Sequence, residues 1–181
     1  GQSNHSTVNF SESLNIRDIC IGHISKETKS AYFNGAIAEL RFWHSPRSAI
    51  QIKADMYRPI TSREVLLIGY WPFDDGAGLT LKDLTGKTNG SAQSTLWQKD
   101  NCDFRDHSVQ AFSFQKDSSC IQVQNFKAFP DIQFTFEVWL RTTNQTASLL
   151  SYANALVIKD MGALSILLNT KQLIPVNLKI N

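Results

Sequence analysis

Short apolar runs of roughly four to eight residues, closed by turn-forming residues, recur along the chain and predict strands rather than helices. The densest lies in Val65 to Gly86. There Val65-Leu66-Leu67-Ile68 reads as a buried strand continuing through Gly69, Tyr70, Trp71, Pro72 and Phe73. Asp74 to Gly78 turn the chain, Leu79 to Leu81 form a short extended piece, and Asp83 to Gly86 turn it again. Before that stretch, Leu14 to Gly22 alternates as a strand ending at Gly22, and Ala36 to Trp43 alternates as a second. Strict period-two geometry puts Leu40 and Phe42 on one face, and Ile37, Glu39, Arg41 and Trp43 on the other. Ser48 to Tyr57 is the one stretch with helical spacing, with Ser48 as its N-cap and Pro59 closing it.

After Gly86, residues 87–107 form the longest polar segment and are expected to be a loop with at most one short strand, anchored by Leu96, Trp97 and Phe104. The strand pattern resumes over Val109 to Phe114 and Cys120 to Val123. Phe134 to Arg141 is the cleanest alternation, with Phe134, Phe136, Val138 and Leu140 expected inside and Thr135, Glu137, Trp139 and Arg141 outside. Leu149 to Tyr152, Ala155 to Ile158, Leu164 to Leu168 and Pro175 to Ile180 read as four more strands. About ten short strands with almost no helix predict an all-β fold, an antiparallel β-sandwich or jelly roll.

A chain of 181 residues suits one domain or a tight pair of small ones. The net charge of +2 is too mild for the basic footprint of a nucleic-acid binder, so no such partner is expected. No apolar stretch approaches the ~20 residues that cross a bilayer as a helix, so no membrane insertion is expected. The first residues, GQSNHSTVNF, are polar and do not read as a signal peptide. Sequons at Asn4, Asn9, Asn89 and Asn144 point toward a secreted or cell-surface setting. Cys20, Cys102 and Cys120 make an odd count without zinc spacing. Cys102 and Cys120 are near enough in sequence to bridge neighbouring strands; the alternative is three buried thiols.

Three stretches together carry a resemblance. YFNGAIAELRFWHSPRS resembles the closing strand of a laminin-G-like or pentraxin-like jelly roll, VLLIGYWPFDDGAGLTLKDLTGKTNGS resembles its opening, and FTFEVWLRTTNQTASLLSYA resembles its central strand pair. The resemblance implies the concanavalin A-like sandwich superfamily. The closing motif precedes the opening one. That order implies either parts of two tandem domains, with residues 1–61 as the tail of one and 62–181 as the first part of the next, or one circularly permuted domain in which both pack as a single sandwich. Two strands of the family pattern are missing, which implies an incomplete sheet edge and self-association through it.

Candidate chemistry is sparse. Asp74, Asp75 and Asp83 sit in turns and together could share a calcium ion, although Asp-Gly pairs are also ordinary turn formers. Ala38 stands where the resembled family carries an aspartate, and the segment Cys20 to Lys29 lacks its acidic cluster, which counts against pentraxin-type calcium binding. Glu137 has no second carboxylate at a same-face position, so it is expected to be a solvent-side residue rather than half of a glycosidase pair. No nucleophile elbow or phosphate loop occurs. Trp43 and Trp71 are expected in the core; Trp97, in the polar segment, and Trp139, on the polar face of its strand, are the candidate ligand-binding residues. The expected function is that of a non-enzymatic extracellular recognition module for a glycan or a protein. The alternatives are an accessory carbohydrate-binding module of a larger enzyme and a structural repeat of an adhesin without a ligand.

Overall fold

The computed structural model describes residues 18–22, 32–61, 63–99, 110–115, 118–126, 134–142, 148–152, 156–159, 165–168 and 172–175. In chain order they form β1 (Ile19–Ile21), β2 (Gly35–Trp43), α1 (Ala49–Asp55), β3 (Leu67–Trp71), β4 (Thr80–Leu81), β5 (Gly90–Gln93), β6 (Thr95–Lys99), β7 (Gln110–Phe114), β8 (Cys120–Val123), β9 (Thr135–Thr142), β10 (Ser148–Tyr152), β11 (Leu156–Lys159), β12 (Ser165–Leu168) and β13 (Gln172–Pro175). Two antiparallel sheets pack as an open sandwich. The first has the order β13-β12-β11-β10-β1-β8-β5-β4, and the second runs β3-β2-β7-β6 with β9 also paired to β2. The polar segment after Gly86 therefore holds two strands, β5 and β6, where a loop with at most one short strand was expected. Its weak apolar pattern is explained by Ser91, Gln93, Leu96 and Gln98 standing exposed between the inward positions. Leu96, expected as an anchor, is 57% exposed. The expected strand segments 14–17 and 176–180 and the anchor Phe104 lie outside the described residues.

β2 organises the second sheet. β9 runs along its whole length on one side. On the other side β7 takes Gly35 to Ile37 and β3 takes Leu40 to Trp43. β1 and β2 are each flanked on both edges by strands that come after residue 61. Gly35, opposite Thr142, must be glycine: a Cβ there would collide with the Arg141 carbonyl and with the Phe33 ring.

β2 is not a straight strand. The register with β9 shifts between Ala38, opposite Trp139, and Arg41, opposite Glu137, so Glu39 and Leu40 together face the single residue Val138. Glu39 has φ 55°, the signature of a bulge. The extra residue reverses the alternation. Ile37 points into the core together with Leu40 and Phe42, which corrects the straight-strand expectation. Ala36, Ala38, Glu39, Arg41 and Trp43 lie outside the central core cluster, on the opposite face of the strand.

The core fills the space between the sheets. Ile19, Ile21, Leu81, Ala92, Ile121, Val123, Leu149 and Leu150 come from the first sheet, and Ile37, Leu40, Phe42, Ile68, Trp71, Phe112 and Phe114 from the second. Phe42 is its aromatic hub, with ring centroids 5.0 Å from Phe136, 5.6 Å from Phe126 and 6.2 Å from Trp71. Phe134, just before β9, and Phe136, Val138 and Leu140 within it face this core as expected, but each is only partly buried. Trp71 is in the central core; Trp43 instead packs with Ile60, Leu67 and Tyr70 on the outer face of the second sheet.

That outer face is closed by α1 and the segment after it. Ser48 caps α1 and forms a capping box with Gln51. Segment 45–47 is tied to β9: Arg47 N donates to Thr135 Oγ1 at 2.8 Å, and Thr135 Oγ1 donates to the Ser45 carbonyl at 2.8 Å. Between helix and sheet lies a chain of buried charges. Arg41 donates to Glu39 at 2.5 Å, to the Asp55 carbonyl at 3.0 Å and to the Arg58 carbonyl at 3.2 Å, and lies 3.6 Å from Glu137. Arg47 bridges Glu137, at 2.7 Å, and Asp55. Arg58 also pairs with Asp55, at 2.5 Å. The Arg41 guanidinium lies 5.3 Å from the Tyr70 ring centroid, and the Tyr70 hydroxyl donates to Glu39 at 2.8 Å. Glu137, expected on the solvent side, is only 12% exposed and belongs to this network. The expectation fails because the covering layer comes from residues 47–58, which alternation within β9 cannot reveal.

Two results are expected. Arg41→Met takes the guanidinium from the buried Glu39, while Glu137 keeps Arg47, and lowers the unfolding free energy by about 3–5 kcal/mol in urea titration; adding Glu39→Gln recovers part of the loss. For Asp55, burial pushes the carboxyl up, but hydrogen bonds from Arg47 and Arg58 outweigh it and hold it below the usual range. The stability this confers is complete above about pH 4 and is lost as pH falls through the lower folded value. The urea midpoint therefore falls on acidification below about pH 4, with a shallower slope in Asp55→Asn.

Candidate functional site

Trp97 and Trp139 lie on opposite faces of the second sheet. Trp97 is on β6 and points inward: its ring is 4.2 Å from Phe112, edge to face, and it packs on the central core. Its indole N–H donates to the Gly78 carbonyl at 2.8 Å. Trp97 thus pins the turn between β3 and β4 onto the sandwich.

Trp139 points outward from β9 and packs on Ala36, Ala38 and Ala111. Three small residues on the sheet surface leave room for a large ring to settle against it. Its indole N–H donates to the Met56 carbonyl at 3.0 Å, just beyond α1. That bond brings Tyr57 alongside, with the two ring centroids 5.6 Å apart and the planes tilted by 39°. Tyr57 is 58% exposed and Trp139 half-buried. Across the same face, Leu96 on β6 is opposite Ser113, which is opposite Ala36, which is opposite Arg141. Leu96 and Arg141 are exposed at the two ends of this row. The result is a surface strip of aromatic and apolar groups beside a cation.

Tyr57 was absent from the sequence-derived candidates. It reads there as the end of a short helix, and nothing in its neighbours announces a partner on a strand far along the chain. The one available hint is an aromatic residue two positions before Pro59, where the helix must stop.

The three aspartates do different work. Asp83 is buried, and its carboxylate accepts from Tyr70 N at 3.0 Å, Thr85 N at 2.9 Å, Thr85 Oγ1 at 2.7 Å, Lys87 N at 3.2 Å and Thr88 N at 3.0 Å. Five donors occupy its two oxygens, so a cation would have to displace them. The Asp83 N–H in turn donates to Asn89 Oδ1 at 3.0 Å. The D-L-T-G sequence is therefore a loop organised around one carboxylate. Asp75 accepts from Lys82 N at 3.1 Å and lies 3.8 Å from Lys82 Nζ, while Asp74 is exposed. Among the described residues, no group of three or more histidine, cysteine, aspartate or glutamate side chains is arranged to hold a metal ion.

The chain matches no protein-family model, no curated protein and no solved structure. What the coordinates establish of its class is the antiparallel β-sandwich.

Asp83→Ala leaves the buried Tyr70 N–H and the partly buried N–H groups of Thr85, Lys87 and Thr88 without their acceptor and is expected to lower the unfolding free energy by about 2–4 kcal/mol in urea titration. Adding a calcium chelator to the wild-type protein tests the ion directly: a bound native-state ion raises the melting temperature, and its removal lowers it.

Proposed function

We propose that this sandwich is a non-enzymatic extracellular recognition module, and that its ligand is a glycan held at the Tyr57–Trp139 surface. The supporting observation is the aromatic pair itself: an exposed Tyr57 ring against a half-buried Trp139 on an alanine floor. The apolar face of a sugar ring fits against such rings, and a tyrosine hydroxyl beside it offers a hydrogen bond. The backbone bond from Trp139 to Met56 holds the pair in place before any ligand arrives, which reduces the ordering cost of binding. The resemblance to laminin-G-like and pentraxin-like domains points the same way, as do the four sequons for a secreted or cell-surface location.

A protein ligand is the second reading. Leu96 at 57% exposure and Arg141 extend the aromatic pair into a strip of the kind that anchors protein contacts. An accessory carbohydrate-binding module of a larger enzyme would use the same pair.

A glycan array read with wild-type protein and with Tyr57→Ala is the deciding experiment. Retention of a defined glycan class, reduced at least tenfold in Tyr57→Ala at unchanged melting temperature, is the expected result. Tyr57 is mostly exposed, so its removal leaves the core intact. No retention of any sugar by the wild-type protein overturns the glycan reading.

A further inference from the structure

The first sheet has a narrow point at β1. That strand is three residues long, yet among the described residues it alone joins β8-β5-β4 to β10-β11-β12-β13. Ile19 and Ile21 enter the core, so Cys20 between them lies on the other face of the sheet. β8 runs antiparallel alongside, with Cys20 opposite Gln122 and Ile21 opposite Ile121. Cys120 is two residues from Gln122, hence on the same face as Cys20 and one diagonal step away. The two thiols are hydrogen-bonded to each other, and both are buried. Cys120 also lies 3.9 Å from Gln93 Oε1 on β5. Two buried thiols on one face of adjacent strands are candidates for a bond that sequence separation alone does not suggest, and because a diagonal pair stands about 7–8 Å apart at the backbone, closing the bond draws β1 and β8 together.

We propose that Cys20 and Cys120 are the two halves of a structural disulfide, formed by exchange with a small-molecule disulfide, that bolts β1 to β8. The Cys120 thiolate attacks one sulfur of the oxidant, forming a mixed disulfide and releasing one small thiolate. The Cys20 thiolate then attacks the Cys120 sulfur, forming the protein S–S bond and releasing the second. Two protein thiols are oxidised, one small disulfide is reduced to two thiols, and the two protons pass to those products. The hydrogen bond from Cys20 lowers the Cys120 thiol to about 7 against the opposing effect of burial, so a thiolate is available at neutral pH. The bond would restrain the strand on which the continuity of the sheet depends. It is independent of the ligand surface, which lies on the other sheet.

The test is peptide mapping without reduction, after equilibration in a buffer of oxidised and reduced glutathione. The expected result is a Cys20 peptide joined to a Cys120 peptide, with Cys102 alkylated. A link from Cys102 to either residue, or three alkylated cysteines, overturns the proposal. A Cys102→Ser variant gives the second reading. Its melting temperature is expected to fall by several degrees on reduction, whereas Cys20→Ser, Cys102→Ser shows no response. An unchanged melting temperature on reducing the oxidised Cys102→Ser protein overturns the bolt.

Discussion

The bulge at Glu39 is the constraint from which the rest of the second sheet follows. One extra residue in β2 reverses the direction of every side chain after it. Without it, Ile37 and Phe42 could not both enter the core, and the strand would present either its charges or its aromatics to the wrong layer. With it, Leu40 and Phe42 meet the core while Glu39 and Arg41 turn outward together. A pair of opposite charges on the outer face then needs a cover. Residues 47 to 58 supply it, with Arg47, Asp55 and Arg58 completing the network. Charges buried this way add little net stability compared with apolar packing, but each forbids removal of its neighbour. Their effect is to fix where α1 lies.

The position of α1 decides what the surface displays. Met56 and Tyr57 follow directly from the helix, and through them Trp139 acquires both its hydrogen bond and its aromatic neighbour. A charge network inside and an aromatic pair outside are thus two sides of one layer. The small residues Ala36, Ala38 and Ala111 have the complementary role, since any longer side chain there would lift Trp139 off the sheet. Beside β3 of the same sheet, Asp83 does for a loop what Arg41 does for the helix. A single charged group gathers donors from Tyr70 to Thr88 and holds a polar turn in one shape.

Alternation located β9 and the inward set Phe134, Phe136, Val138 and Leu140, because a half-buried strand writes its geometry directly into the order of residues. Ser48 as a helix cap was equally readable, since capping is local chemistry. Three things were not. The bulge was hidden because a period of two has no mark for an inserted residue. β5 and β6 were hidden because they carry few apolar side chains. The covering of Glu137 was hidden because it depends on a helix some ninety residues earlier, as the contact from Arg47 shows. Trp97 and Trp139 illustrate the same limit from the other side. Trp139 was readable as outward from the alternation of β9, whereas the inward Trp97 emerges only from the pairing of β6 with β7.

The placement of β2 carries a consequence for synthesis. It is made before every strand it pairs with, for its neighbours lie at residues 67–71, 110–114 and 135–142. At about 5–20 residues per second, the hundred or so residues up to β9 take roughly 5–20 seconds. Until then the sheet that Leu40, Phe42 and Trp43 enter is incomplete, with β3 on one side and no strand on the other, and a fold made of such distant pairings closes slowly. The nascent chain is therefore most vulnerable to misassociation at its most important strand.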